Sequence, residues 1–124
     1  IGKVTVVDLS VMWCAPCQSA ATAAEDVVNS YGRDKVQWVT ILIEDSQGNA
    51  PDLDDLQAWA STYHGSSPIL AGDRSLIDIS GNDGFPLTSW PTFLILDEDL
   101  NVRWLLKGWS EEAIRLLIED VLAN

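Results

Sequence analysis

The sequence predicts an α/β fold: a central mixed sheet flanked by helices, in a single domain over residues 1–124. Three observations carry this. Apolar, β-branched runs at Val4–Leu9 and Val36–Glu44 read as buried strands, and each is followed by a stretch with helical spacing. The last third holds two strand-like runs around an acidic turn, then a helical pattern. The order is therefore β-α-β, a helix-containing segment over approximately 45–89, then β-β-α. Right-handed crossovers make the first two strands parallel, with helices covering both faces.

Each element has its own signature. Val4–Leu9 is interrupted only by Thr5 and Asp8, as suits a strand buried on both faces. The next helix starts near Cys14, carries Cys17, Ala20, Ala21, Ala24, Val27, Val28 and Tyr31 at helical spacing, and stops at Gly32. Val36–Glu44 is the second strand. Gly48–Pro51 is a turn, and Asp52 caps a second helix with Leu53, Leu56, Trp59, Ala60 and Tyr63 on one face, ended by Gly65. Pro68–Ala71 reads as a short edge strand. Within 72–89 one helical turn is expected around Ser75–Ile79, then a loop through Gly81–Gly84. Thr92–Leu96 and Val102–Leu106 form a hairpin about Asp97–Asn101, and Gly108 breaks its second strand. Ser110 caps the last helix, with Glu111 and Glu112 in the first turn and Ala113, Ile114, Leu117, Ile118 and Val121 as its apolar face.

Composition narrows the function. Nineteen acids against seven bases give a net charge of −12, which disfavours nucleic acid and anionic membrane surfaces as partners. No window has the length and apolarity of a membrane span, and no repeat or low-complexity tract appears. The acidity reads first as a solubility device and second as a surface for a basic partner. Six tryptophans are expected in the core or around a site. The chain enters its first strand within four residues, an opening expected of a mature or trimmed form or of one with more chain upstream.

Trp13-Cys14-Ala15-Pro16-Cys17 holds the only two cysteines, after a strand and at the start of a helix. Free N–H groups and the positive end of the helix dipole meet at Cys14, and both favour negative charge on its sulfur. Half of a zinc site is a poorer reading, because zinc wants four ligands and the chain offers one histidine, His64, and no second cysteine pair. A structural disulfide is also poorer, because so short a loop constrains the unfolded chain little. Redox chemistry is the favoured reading, with Cys14 as nucleophile and Cys17 as the more buried resolving thiol. Asp8, an acid in an apolar strand, is the candidate base for Cys17; its alternative is a solvent-facing or backbone-bonded carboxylate. His64 reads as a helix-terminal surface histidine.

Asp8 six residues before Cys14, the Trp-Cys-x-Pro-Cys box, Trp90-Pro91-Thr92 before the hairpin and Gly108 after it together resemble the thioredoxin-like superfamily. The insert 45–89 is similar to that of the TlpA/ResA-like branch, which is mostly exported or membrane-tethered in bacteria. The resemblance implies a thioredoxin-like fold with a helix-containing insert before a cis-proline at Pro91. It also implies a thiol-disulfide oxidoreductase that reduces protein disulfides with electrons from an upstream dithiol donor. A disulfide oxidase or isomerase, or a non-catalytic binding module, stays open as an alternative. Trp13, Pro16, Trp90 and Pro91 are the implied substrate-binding residues, with Trp90 either a wall of the site or surface packing. No cofactor, no metal and no membrane insertion are expected, and a monomer is. An extracytoplasmic location is expected, with the cytoplasm still open. The chain departs from that branch at Ala20, where a glutamate is common, and at Asp8, where asparagine is common. It departs from thioredoxins at Ile41, where a lysine faces the buried aspartate. A peroxidase is disfavoured by Val11, where peroxiredoxins carry threonine.

Overall fold

Five strands form one mixed sheet in the order β3-β2-β1-β4-β5. At its centre β1 (Val4–Ser10) runs parallel to β2 (Val36–Leu42) and antiparallel to β4 (Thr92–Leu96). The edges are β3 (Ile69–Ala71), parallel to β2, and β5 (Val102–Lys107), antiparallel to β4. Among the described residues three α-helices, α1 (Ala15–Tyr31), α2 (Leu53–Tyr63) and α3 (Glu111–Ala123), accompany the sheet. The structure is a computed structural model and describes residues 2–63, 65–77 and 87–124. His64, the end of the expected helical turn at 78–79 and the expected loop at 81–84 lie outside the described residues.

Local chemistry sets the helix ends. Cys14 caps α1, and Gly32 stops it with a φ of 98°, a backbone conformation that side-chain-bearing residues avoid. Asp52 and Asp55 open α2 reciprocally, each carboxylate accepting the other's backbone N–H at 2.9 Å. Ser110 Oγ accepts the Ala113 N–H at 3.1 Å to start α3.

The crossovers β1-α1-β2 and β2-α2-β3 step the same way across the sheet, so the right-handed rule sends α1 and α2 to one face. There α3 joins them, and Ala24, Val27, Ile114 and Ile118 pack on Val6, Trp38, Phe93 and Ile95. On the opposite face Leu9 and Leu94 are covered by Leu87, Ile77 and Trp90, beside the 3-10 turn Arg74–Leu76. The sheet is thus flanked by helical elements on both sides, but unequally among the described residues. The main differences from the sequence reading are the end of β2 and the burial of α2. β2 ends at Leu42, although Ile43 N–H to Ser10 C=O (2.9 Å) and Met12 N–H to Glu44 C=O (3.0 Å) carry the pairing onward to Glu44. In α2 only Trp59 is buried, and Leu53 is 67% exposed. That helix crosses the narrow β3 edge, so its first turn overhangs the sheet instead of meeting the core.

Candidate active site

The end of β1 turns through Val11–Trp13 into α1 and delivers both cysteines to one spot. Cys14 Sγ accepts the Cys17 backbone N–H at 3.2 Å, so the thiol itself caps the helix. Pro16 sits in the first turn, where no intrahelical N–H partner is lost, and is exposed with Ala15. Both thiols are free; Cys14 is 6% exposed and Cys17 fully buried. Burial pushes the Cys17 thiol far above its ordinary range, the hydrogen bond with Cys14 adds to the rise, and the Val11 backbone and the Ser10 hydroxyl oppose it.

Asp8 lies three residues before the turn, on the face of β1 that meets α1, and is fully buried. Ser10 Oγ donates to Asp8 Oδ1, and Trp38 Nε1 donates to Oδ2 at 3.3 Å. The Thr40 hydroxyl, on the paired position of β2, also favours the charged form. All three partners are neutral. Desolvation outweighs them and raises the carboxyl from 3.8 to about 7. A solvent-facing Asp8, the alternative left open by the sequence, is not what the structure contains.

The Trp90–Pro91 peptide bond is cis. Trp90 is half-buried and packs on the apolar cluster that contains Val11, Cys14 and Cys17. The Pro91 carbonyl accepts the Gly108 N–H at 2.7 Å, one step beyond the β4–β5 pairing, and Gly108, at φ 83°, ends β5. Beside Trp90 a cavity of about 310 Å³ is lined by Arg74, Ile77, Leu87, Thr88 and Ser89.

No protein-family model matches the chain, and no curated protein does. Solved structures do. A thiol:disulfide interchange protein of the thioredoxin family from Chlorobium tepidum TLS is 21% identical with a TM-score of 0.76, over 98% of this chain and 81% of that one. A thiol-disulfide isomerase from Corynebacterium glutamicum is 18% identical, TM-score 0.74, over 99% and 82%. A secreted Mycobacterium tuberculosis disulfide oxidoreductase homologous to E. coli DsbE is 18% identical, TM-score 0.68, over 96% and 82%. The chain has the thioredoxin fold.

Around this thioredoxin-fold dithiol stand groups that the sequence did not single out. Trp13 is 51% exposed, yet its Nε1 donates to Glu44 Oε1 at 2.8 Å. Glu44 is buried and also pairs with Arg74 of the 3-10 turn. A contact across 30 residues has no local signature. Tyr63 of α2 stacks against Trp59 with ring centroids 4.7 Å apart, and burial and the Cys17 charge both raise its phenol. Ser10 did have a signature: two residues from Asp8 on a strand, it must share that residue's face. Among the described residues no three His, Cys, Asp or Glu side chains gather as metal ligands, and no helix is long and apolar enough to cross a membrane.

Proposed function

We propose that this protein is a thiol-disulfide oxidoreductase that reduces disulfides of protein substrates, working as one domain and as a monomer. The observation that carries the reading is the pairing of a helix-capping thiol, Cys14, with a second, wholly buried thiol one turn on. Cys14 thiolate attacks a substrate disulfide, the Cys14–substrate bond forms, and the first substrate sulfur leaves as thiolate. Cys17 then loses its proton and attacks Cys14 Sγ. The Cys14–Cys17 bond forms, the bond to substrate breaks, and the second substrate sulfur leaves with the electron pair. The substrate gains two electrons and the protein is left as the disulfide, to be recharged by an upstream dithiol donor.

Asp8 is the base for the second step, since its carboxyl titrates at about 7 in a dry pocket on the Cys17 side of the sheet. Trp13, Pro16, Trp90 and the cis Pro91 bind substrate. Among the described residues none hydrogen-bonds to the Trp90 backbone, which leaves its peptide groups available for strand-like pairing. The cavity beside Trp90 suits the side chain next to the substrate cysteine. The M. tuberculosis relative described as secreted supports an extracytoplasmic location.

Equilibration against defined thiol buffers tests the direction of electron flow. A reduction potential near that of thioredoxin, roughly −270 mV, supports the reductase, whereas one near −120 mV makes the protein a disulfide oxidant. Cys14→Ser should abolish turnover of a protein disulfide substrate, which argues against a binding module; a wild-type cysteine pair that never turns over such a substrate would end the proposal and favour one.

A further inference from the structure

Cys17 and Asp8 are both fully buried, and neither reaches bulk water. Ser10, at the last position of β1, is also fully buried and hydrogen-bonds Asp8. Strand alternation turns its side chain to the same face as Asp8, the face on which Cys17 of α1 packs. Its Oγ donates to Asp8 Oδ1, which leaves its lone pairs free to accept, and the Cys17 thiol is near enough to respond to the same hydroxyl. A hydroxyl carries one donor and two acceptor sites, so it can serve both neighbours at once.

Building on the oxidoreductase reading, we infer that Ser10 is a proton relay between Cys17 and Asp8. As Cys17 attacks Cys14 in the mixed disulfide, the thiol proton passes to Ser10 Oγ while the Ser10 hydroxyl proton passes to Asp8 Oδ1. Ser10 ends as it began, neutral and one proton turned over. Asp8 gains a proton, Cys17 gains the bond to Cys14, and the substrate sulfur leaves with the electron pair. The titratable groups that face this chain are Cys14 on α1 and Tyr63 on α2, whose phenol responds to the Cys17 charge. Among the described residues the only other buried charged side chain is Glu44, already held by Arg74 and Trp13.

The test separates the two steps of one turnover. Reduced wild-type protein, Ser10→Ala and Ser10→Thr are each mixed with a fluorescent peptide disulfide. The formation and the decay of the mixed disulfide are then followed by stopped flow from pH 5 to 9. In Ser10→Ala the ratio of decay rate to formation rate should fall at least about tenfold, with a flattened pH profile, and Ser10→Thr, which keeps the hydroxyl, should restore both. An unchanged ratio and pH profile in Ser10→Ala would overturn the relay and leave the oxidoreductase intact. Failure of the wild type to form any mixed disulfide would instead remove the oxidoreductase itself. A measurement on wild type alone covers a Ser10→Ala that does not fold. Two protons moving together predict that the decay rate curves against the fraction of D2O in mixed solvent. A straight line means one proton in flight and excludes Ser10.

Discussion

Asp8 and Glu44 are the two buried carboxylates among the described residues, and they are solvated in opposite ways. Glu44 has a guanidinium from Arg74 and the indole N–H of Trp13, so its charge is matched. Among the described residues Asp8 has only neutral donors, Ser10 and Trp38, with the Thr40 hydroxyl also favouring its charge, and no cation. Desolvation therefore governs Asp8 and lifts it to about 7, where a carboxyl exchanges protons readily at neutral pH. Both acids are buried, yet one is a clamp and the other a base, and a cation stands beside only the first.

The same isosteric change at the two acids should have opposite effects. Asp8→Asn is expected to slow decay of the mixed disulfide about 100-fold and erase the inflection near pH 7 from its profile. The variant should also be more stable. The native state holds the Asp8 proton longer than the unfolded chain does, so the group's contribution is intact below 3.8 and is lost as pH rises through about 7. Removing the charge recovers that loss: up to about 4 kcal/mol at pH 8, shrinking to nothing near pH 4, measured by urea unfolding at each pH. A pH-independent difference would mean that Asp8 is ionised throughout, and the contrast with Glu44 would collapse.

Glu44→Gln should destabilise instead, by about 1 kcal/mol at pH 8, because Arg74 and Trp13 lose a charged acceptor while the guanidinium is two-thirds exposed and partly hydrated. The same unfolding experiment reads it, and a gain in stability would contradict the clamp. Trp38→Phe keeps a ring in the core but removes one neutral donor from Asp8. The midpoint of Asp8, followed by carbon NMR of its carboxyl, should move above that of the wild type, the smallest of these effects. A downward move would mean that the indole does not help to hold the charge.

Much of the architecture was legible locally. The helix caps at Cys14, Asp52 and Ser110, the stop at Gly32 and the hairpin about Asp97–Asn101 each depend on groups a few residues apart. The face of α2 was legible except at its start: Leu56, Trp59 and Tyr63 pack on the cluster around the cysteines, whereas Leu53 fits the apolar stripe yet stays exposed. The orientation of Asp8 was harder to read. In a central strand both faces are apolar, so the alternation that identifies the inner face of an edge or surface strand disappears.

By itself, then, the sequence determined the order of elements, the helix-capping dithiol and Asp8 as the candidate acid for it. These follow from short-range hydrogen bonding and from the spacing of apolar residues, which no distant contact alters. Tertiary structure alone decided which acid received a cation. Glu44 met Arg74 and Trp13 across about 30 residues of chain, whereas Asp8 was closed in by neutral side chains on β1 and β2. The charge of a buried group is set by the dielectric and the partners around it, and those exist only once the chain has folded.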